Sequence, residues 1–406
     1  MKLFALTSRL PWPLDKGDKL RAYHQLRELS KDHEVHLFCL VQEAPSDETM
    51  EALGQVTKRT HWVKMRPWVR FARMGWSLFS TRPFQVHWFY QRHAAQVLSK
   101  LLAEEQPDVI YCQLIRMAEY VKDHHEFPRV LDYMDALSAG MMRRSKLTPF
   151  PLQWFFHAEA SRLRRYEATT FDYFDAHSII SVADRKLIAH PERKAIQVVP
   201  NGVDNIYFEP LKDGPPKDTR PTVLFTGNMS YPPNVDAAIR LAQEVLPQTA
   251  TSGIKLIIAG TKPSRRVKQL ATTHIEVTGW IADMRTAYEQ ADLFVAPLRI
   301  GTGQQNKILE AMACGIPCIT TSHVLAGFLD PENGILPPPL QIADSPEQMA
   351  AAIDDLMQSP ERRNAIGQES REWVQKNSSW SAHTAKLTST FVHSTQHQSS
   401  IHHGKI

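Results

Sequence analysis

Short runs of apolar residues alternate along the chain with longer segments whose apolar residues recur at helical spacing. This alternation is typical of parallel sheets in which a crossover helix follows each strand. In the first half, a helix over Gly17–Lys31 is expected to join the first two strands. The predicted strands of this half are Leu3–Ser8, Glu34–Leu40, Asp108–Cys112, Arg129–Leu131, Ala176–Val182 and Ala195–Val199. We therefore expect one α/β unit here.

The same rhythm begins again after a turn at residues 200–202 and a polar, Pro-rich stretch over residues 211–221. The strands predicted for the second half are Thr222–Thr226, Lys255–Ala259, His274–Val277, Leu293–Ala296 and Cys318–Thr320. A chain of 406 residues exceeds what one hydrophobic core usually supports, so two domains are expected. We predict an N-terminal domain over 1–198, a second domain over 199–380, and a C-terminal helix with a frayed tail over 381–406. Such halves place a ligand at the carboxyl ends of their strands, and we expect the chemistry in the cleft between them.

Composition narrows the classes of function. The formal net charge of +4 is too small for a dedicated nucleic-acid binder, so we expect no nucleic-acid partner. Four scattered cysteines do not make a disulfide framework, which suits a reducing cytosol. Cys314 and Cys318 have no second Cys or His pair at zinc spacing, so no metal is expected. No apolar run approaches the ~18 residues of a membrane span. We expect a cytoplasmic protein, with peripheral contact to the inner face of the plasma membrane as an open alternative.

The strongest chemical signal lies between residues 296 and 317. Here an apolar strand ends in a turn containing Gly301, Thr302 and Gly303, and this turn opens a helix. Free backbone N–H groups and the positive end of the helix dipole then point at one spot, which favours a phosphate group.

Charged side chains flank this turn. Arg299 stands just before the glycines and Lys307 follows about one helical turn inside, so two cations can converge on one anion. Glu310 lies three residues after Lys307 on the same helix face, where its carboxylate can accept hydrogen bonds from two ribose hydroxyls. The alternative is an ordinary turn followed by a helix with one surface ion pair between Lys307 and Glu310.

The segment resembles the signature of glycosyltransferase family 4, retaining enzymes with the GT-B fold of two Rossmann-like domains. The likeness is carried by Lys307-Ile308-Leu309-Glu310-Ala311-Met312-Ala313-Cys314-Gly315-Ile316-Pro317. Four further stretches resemble family segments: 13–21, 199–204, 224–229 and 277–281. Residues 132–135 and 227–236 are similar to the sugar transferases of exosortase (PEP-CTERM) exopolysaccharide loci. The expected fold class is therefore α/β, with parallel sheets in a GT-B arrangement.

The resemblance implies roles for individual residues. Asp135 is expected to face the donor sugar and to act in catalysis with Lys307 and Arg299; the alternative for Asp135 is N-capping of the following helix. The base is expected to contact Gly279, Trp280 and Ile281. The residues implied for the donor diphosphate and ribose are Gly17, Arg21, Gly227, Asn228, Arg299, Gly301, Thr302, Gly303, Lys307 and Glu310. For Arg21 the alternative is a solvent-facing helix arginine. No cofactor and no metal is implied, since the nucleotide sugar is a co-substrate.

Three positions depart from the family pattern. Thr302 stands where members often carry a Glu that contacts the donor sugar. Asn228 and Asn234 stand in a region where many members have a basic pair, so Arg299 with Lys307 is expected to replace that charge. Gly17 is followed by Asp18 instead of a second glycine, which adds a carboxylate that could accept a sugar hydroxyl or cap the helix.

Two segments combine basic and aromatic residues. Residues 58–92 contain eight Lys or Arg, no Asp or Glu, and several Trp and Phe, and residues 141–165 repeat the combination. This mixture suits an anionic bilayer interface or a lipid-linked acceptor. Core packing of the aromatics with solvated charges, or a nucleic acid, are the alternatives.

The sequence thus predicts a retaining glycosyltransferase that moves a sugar from a UDP- or GDP-sugar to a lipid-linked or growing glycan in exopolysaccharide biosynthesis. A sugar-nucleotide epimerase and a catalytically silent nucleotide-sugar-binding scaffold remain alternatives. An NAD-dependent enzyme is not favoured, because neither half shows Gly-x-Gly-x-x-Gly after its first strand.

Overall fold

The computed structural model describes residues 1–77, 79–210, 218–300 and 303–403, without the side chains of residue 393 and of residues 395–403. Its contacts divide the chain into two compact units, one made of Met1–Pro200 with Trp380–Ile406 and the other of Asn201–Ser379. The C-terminal helix therefore belongs to the first unit, whereas the sequence order suggested a separate segment over 381–406.

The first unit is built on a seven-stranded parallel sheet in the order β3-β2-β1-β4-β5-β6-β7. Its strands are β1 Lys2–Thr7, β2 Glu34–Val41, β3 Arg59–Lys64, β4 Val109–Gln113, β5 Arg129–Asp132, β6 Ala176–Ile179 and β7 Gln197–Val198. Six of the seven lie where the sequence predicts strands. The exception is β3, an edge strand within the stretch that the sequence assigned to membrane contact. Residues 59–64 are therefore part of the sheet, and a membrane contact through them stays a prediction.

Helices cover both faces of this sheet, as expected for crossover connections. They are α1 Gly17–Leu29, α2 Asp47–Gly54, α3 Pro67–Ser77, α4 Phe84–Phe89, α5 Arg92–Glu105, α6 Leu137–Lys146, α7 Leu152–Phe171, α8 Val182–Leu187 and the C-terminal α16 Trp380–His403. A 3-10 helix, Ile115–Tyr120, follows β4. The helix α16 packs on one face of the sheet, where Leu387 and Phe391 are fully buried and Phe391 meets Tyr111 edge-on at 5.5 Å.

The second unit has a six-stranded parallel sheet in the order β10-β9-β8-β11-β12-β13. Its strands are β8 Thr222–Thr226, β9 Lys255–Ala259, β10 Ile275–Gly279, β11 Leu293–Ala296, β12 Cys318–Thr320 and β13 Gln341–Ile342. The helices are α9 Pro232–Arg240, α10 Arg265–Lys268, α11 Arg285–Glu289, α12 Asn306–Ala313, α13 Ser322–Leu325, α14 Pro346–Gln358 and α15 Pro360–Asn377. Five strands were predicted, and β13 is a two-residue addition.

The strands of both sheets are apolar on both faces because helices cover each side. In β8 and β11 every residue is buried, and the helices of the second unit enclose one continuous apolar core around them. In each unit this arrangement exposes the loops at the carboxyl ends of the strands, where ligands bind in open α/β sheets. Among the described residues, no helix combines the length and the hydropathy needed to cross a bilayer.

Candidate functional site

Two glycines bring backbone to the carboxyl edge of the second sheet. Gly227 follows β8 with φ of 154°, and Gly260 follows β9 with φ of 138°. A Cβ atom on Gly260 would lie 1.8 Å from the carbonyl oxygen of Gly227, and one on Gly227 would lie 2.6 Å from Nδ2 of Asn234. Only glycine fits at either position. The result is a surface of bare backbone next to the start of α9, where a ligand can approach the main chain closely.

Lys307, on the first turn of α12, points to this glycine surface. Its Nζ donates a hydrogen bond of 2.5 Å to Oδ1 of Asn234 and lies 5.1 Å from the ring centre of Phe225. The side chain is half-buried, and burial lowers the pKa of Lys307 to about 8. A partly desolvated ammonium with a neutral amide as its recorded partner can gain strongly from an incoming anion.

Glu310 lies one turn further along the same helix. Its Oε2 accepts a hydrogen bond of 2.8 Å from the hydroxyl of Tyr288, which also lies 3.2 Å from Oγ1 of Thr226. Burial raises the pKa of the Glu310 carboxyl, while Tyr288 and Lys307 act in the opposite direction. Tyr288 is buried and fixes the carboxylate, which can then accept hydrogen bonds from vicinal hydroxyls of a ligand.

Arg299 is held differently from the sequence expectation. Its Nε and Nη2 each donate a 2.8 Å hydrogen bond to a carboxylate oxygen of Asp236, and Asp236 raises the pKa of Arg299. Lys307 and Arg299 thus contact neighbouring positions of α9, Asn234 and Asp236. A bound anion would have to compete with Asp236 for Arg299. The structure therefore does not show Lys307 and Arg299 both directed at a single anion site.

The loop after β10 joins the same edge. Gly279 has φ of 74°, and its carbonyl oxygen accepts a 3.0 Å hydrogen bond from the backbone N–H of Gly260. Trp280 follows with 71% of its surface exposed, whereas Ile281 packs against the core. Gly227, Gly260 and Gly279 are therefore contiguous, and an exposed aromatic ring stands beside them.

The turn before α12 is only partly described. Gly301 and Thr302 lie outside the described residues, so the predicted phosphate contacts of these two residues stay predictions. Gly303 has φ of 69°, and Oε1 of the buried Gln304 accepts a 2.8 Å hydrogen bond from the backbone N–H of Asn201. The Asn201 side chain donates to Asn306 at 2.7 Å. The turn at residues 199–204 thereby anchors the entry to α12.

The Asn228 side chain forms hydrogen bonds within its own loop. Its Oδ1 accepts hydrogen bonds from the backbone N–H of Ser230 at 3.0 Å and from the Ser230 hydroxyl at 2.7 Å, while its carbonyl oxygen accepts one from Asn234 at 3.1 Å. Asn228 therefore shapes the turn between β8 and α9, and Asn234 rather than Asn228 is the amide that contacts Lys307.

Two predicted residues of the first unit lie at the carboxyl edge of its own sheet. Gly17 begins α1, and a Cβ atom added to it would lie 3.6 Å from Cε of Met134. Met134 has φ of 63°, in the left-handed region, and directs the chain into the half-buried Asp135. Asp18 neither caps α1 nor stands isolated, because its carboxylate pairs with Arg9 at 2.8 Å.

Arg21 requires a correction. The sequence suggested that it reaches the diphosphate, but its side chain is fully buried and pairs with Asp132, with Nε 2.7 Å from Oδ2. Its Nη1 also donates to the carbonyl oxygen of Val199 at 2.9 Å. Arg21 therefore fixes α1 to the sheet and does not reach a ligand-facing surface.

The two basic, aromatic segments separate into buried and exposed parts. Phe84 and Phe89 are buried, and Arg70 and Arg73 stack on the rings of Trp88 and Tyr90. Other aromatics remain largely exposed and are called the aromatic surface below. They are Trp68, Phe71, Trp76, Phe79, Phe150 and Trp154.

Sequence reasoning missed several residues that support this site. Gly260 and Tyr288 lie in no segment that resembles the family, and Thr226 and Asp236 lie in such segments without an assigned role. The roles of all four follow only from the packing of four strand ends around α9 and α12. Asn234 was noted for lacking charge. A Gly directly after a predicted buried strand, as at Gly260, is a signal that could have indicated a close backbone approach.

Comparison with solved structures defines the class of fold. Sucrose-phosphate synthase of Thermosynechococcus elongatus aligns with a TM-score of 0.69 and 15% identity, covering 96% of this chain and 98% of that one. HepE of Anabaena, solved in complex with UDP and glucose, aligns with a TM-score of 0.67 and 11% identity, covering 97% of this chain and 99% of that one. The predicted fold class is confirmed: the chain has the GT-B fold, with two Rossmann-like domains built on parallel sheets.

Sequence comparisons then point to particular relatives. Residues 220–359 match the model of a family described as glycosyl transferases group 1. The chain is also 25% identical over 218 residues to the GDP-mannose-dependent alpha-(1-6)-phosphatidylinositol monomannoside mannosyltransferase of Mycolicibacterium smegmatis. That alignment covers 48% of this chain and 55% of the relative, so the chain spans about half the length of this curated relative. The stretch matched by the family model contains Gly227, Asn234, Tyr288, Lys307 and Glu310.

Proposed function

We propose that this protein is a retaining glycosyltransferase of family 4 that moves a sugar from a UDP- or GDP-sugar to a lipid-linked or growing glycan. The observation that carries the proposal is the arrangement on α12, where Lys307 and Glu310 are held by Asn234 and Tyr288 beside the bare backbone of Gly227. A cation for a diphosphate and a fixed carboxylate for a ribose stand one helical turn apart. Recognition of a nucleoside diphosphate donor uses a cation for the diphosphate and a hydrogen-bond acceptor for the ribose hydroxyls.

Each residue has a defined part in the proposed reaction. Lys307 neutralises the negative charge that develops on the leaving diphosphate, Glu310 accepts hydrogen bonds from the ribose hydroxyls, and Trp280 offers a face to the base. Asp135, in the first unit, stabilises the positive charge on the sugar ring. Transfer then depends on positioning and electrostatics, and Lys307 supplies the charge without a metal ion or cofactor.

The comparisons support the proposal at the level of class. The matched family is one of glycosyl transferases, the mycobacterial relative uses GDP-mannose, and HepE was solved with UDP and glucose. The GT-B fold alone does not define a substrate. The likeness of residues 132–135 and 227–236 to exosortase-associated transferases supports a role in exopolysaccharide biosynthesis.

Donor binding and turnover test this function together. UDP, GDP and their sugars are screened by thermal shift, and each stabilising donor is then incubated with the protein alone and with bacterial membrane extract. We expect one nucleotide series to raise Tm and transfer to require the extract. Conversion of the donor without acceptor would instead identify an epimerase, and binding without turnover in any extract would identify a scaffold.

The pKa of Lys307 predicts a pH dependence of donor binding. Because this pKa lies near 8, the ammonium loses its proton as pH rises from 7 to 9, and a neutral amine no longer attracts the diphosphate. We expect the affinity for the preferred nucleoside diphosphate to fall by about tenfold between pH 7 and 9. Lys307→Arg keeps its charge over this range and should show a flat profile in calorimetric titrations. If the affinity of the wild type does not change between pH 7 and 9, Lys307 does not contribute to diphosphate binding.

We propose that the aromatic surface docks on an anionic membrane at which a lipid-linked acceptor resides. The two segments that carry it are joined, because Arg162 on α7 donates to the carbonyl oxygen of Ser77 at the end of α3 at 2.9 Å. Phe84 also stacks on Phe155 at 4.8 Å. Exposed cations lie on the same segments, among them Arg66 and Lys146. Exposed Trp and Phe with flanking cations favour a bilayer interface that bears negative charge.

Vesicle binding tests this docking. Trp76→Ala combined with Phe79→Ala removes two exposed rings and is expected to weaken binding to phosphatidylglycerol vesicles by tenfold or more, at roughly 1–2 kcal/mol per lost ring. The matched control is Trp280→Ala, since Trp280 and Trp76 are 71% and 70% exposed. Co-sedimentation measures both. Equal binding by the double variant and the control would show that this surface does not contact the membrane.

A further inference from the structure

Three side chains with metal-binding atoms meet at the amino-terminal edge of the first sheet, the edge opposite to the one that carries Asp135. His36 is the third residue of β2, His61 lies on β3, and Glu105 is the last residue of α5. Their ligand atoms all lie within 4.8 Å of one another. The strand register explains the pairing, because His61 is opposite Phe38, two residues along β2 from His36 and on the same face.

The Glu105 carboxylate lies between the two imidazoles. His36 Nδ1 contacts Oε2, and His61 Nε2 lies 2.8 Å from Oε1. The side chains of His36 and Glu105 are only 3% and 4% exposed, and His61 is 26% exposed. The ring of Phe4 packs against both imidazoles, at 6.5 Å from His36 and 6.3 Å from His61. The cluster is therefore enclosed on the sheet side and opens to solvent beside His61.

A second carboxylate completes the environment of His36. Oε1 of Glu34 lies 2.8 Å from Nε2 of His36, so this imidazole stands between two acidic side chains. Nε2–H of His36 can donate to the Glu34 carboxylate, which leaves the lone pair of Nδ1 directed at Glu105. A metal ion placed between Nδ1 and the Glu105 carboxylate would be bound by both groups. An imidazole whose outer nitrogen donates to a carboxylate is the usual arrangement of a metal-ligating histidine.

We propose that His36, His61 and Glu105 bind a Zn²⁺ ion. Two imidazoles and one carboxylate favour zinc over magnesium or calcium, which prefer all-oxygen ligands. The open side next to His61 leaves room for water as a fourth ligand. Arg59, whose Nη1 lies 3.5 Å from Oε1 of Glu105, is 64% exposed and can turn into solvent when the ion enters.

The bound ion would join β2, β3 and the end of α5. Because it binds the folded chain, it stabilises the first unit. The site lies away from the strand ends that carry the proposed reaction, so it is independent of sugar transfer. Zinc is therefore expected to change stability and to leave donor binding unchanged.

The experiment uses the full chain without a polyhistidine tag, stripped with EDTA and then titrated with Zn²⁺. We expect one zinc per chain by mass spectrometry after dialysis, and a rise in Tm of about 5 °C at a hundredfold excess over Kd. Co²⁺ in place of Zn²⁺ should give visible absorption typical of a coordinated ion. A wild type that retains no zinc and shows no zinc-dependent Tm would overturn the proposal.

Variants locate the ion. His61→Asn, at the half-buried ligand, is expected to abolish the bound equivalent and the Tm rise, and Glu105→Gln should do the same. His124→Asn is the matched control, since it removes another His–Glu contact, 2.7 Å from Glu126, outside the cluster. All variants keep the histidines near the C-terminus. Equal zinc binding by His61→Asn and the wild type would place the metal elsewhere and contradict the site, while circular dichroism confirms that each variant is folded.

Discussion

Replacing Lys307 by alanine is expected to lower kcat/KM for sugar transfer by roughly 10²–10³-fold, with no loss of fold. The reason is electrostatic. A half-buried ammonium beside the bare backbone of Gly227 stabilises charge on the leaving diphosphate far better than water does, and removal of one such preorganised group costs about this much in other enzymes. Initial rates over a range of donor concentrations measure the change. Circular dichroism verifies the fold.

Glu310→Gln tests the other half of the site. It keeps the volume of the side chain but removes the charge, and we expect KM for the donor to rise about tenfold or more because the ribose hydroxyls lose an ionic acceptor. The control for the loss of a charged side chain is Lys268→Ala. Lys268 is an exposed lysine on α10 in the same unit, and this variant should transfer sugar at the wild-type rate. Wild-type kinetics in both Lys307→Ala and Glu310→Gln would remove α12 from the reaction.

Asp132→Asn is expected to have the largest effect on stability. Asp132 is fully buried and accepts hydrogen bonds from Arg21, from the Tyr111 hydroxyl at 3.1 Å and from the Ser178 hydroxyl at 3.0 Å. The substitution leaves the buried Arg21 guanidinium without its counter-ion. Breaking a buried ion pair in this way costs about 3–5 kcal/mol. We expect the thermal transition of the first unit to fall by roughly 10 °C in calorimetry.

Two further variants isolate the cause of that loss. Asp355→Asn disrupts an exposed ion pair with Arg362 and should leave Tm unchanged, because surface pairs contribute little. Combining Asp132→Leu with Arg21→Met removes both charges and should recover part of the stability. If Asp132→Asn has the same Tm as Asp355→Asn, the buried network around Asp132 does not stabilise the first unit.

The alternation of apolar runs predicted most of the fold because both sheets are parallel and covered on both faces. A strand buried on both sides needs consecutive apolar residues, as in Thr222–Thr226, and that pattern is easy to read. The edge strand Arg59–Lys64 escaped because four of its six residues are polar or charged and only Val63 is buried. Attachment of the C-terminal helix to the first unit depends on contacts such as that of Phe391 with Tyr111, which local sequence does not reveal.

The candidate site was predictable where it is local and not where it is built by packing. Lys307 and Glu310 share one helix face, so their spacing alone placed them together. Asn234 and Tyr288 lie on other helices, and only the folded unit brings them to α12. Arg21 was assigned to the diphosphate because it is close in sequence to a glycine loop. Local sequence does not reveal that Arg21 pairs with the buried Asp132, which is distant in sequence. For Arg299, the competing Asp236 lies 63 residues away.

The most direct test is a crystal structure of the protein with the nucleoside diphosphate that stabilises it best in the thermal-shift screen. We expect a diphosphate oxygen within about 3 Å of Nζ of Lys307, and a ribose hydroxyl within about 3 Å of the Glu310 carboxylate. The phosphates would lie against the backbone of Gly227. A diphosphate bound elsewhere on the chain, with Lys307 still bonded to Asn234 and no ligand atom near α12, would show that Lys307 and Glu310 do not form the donor site.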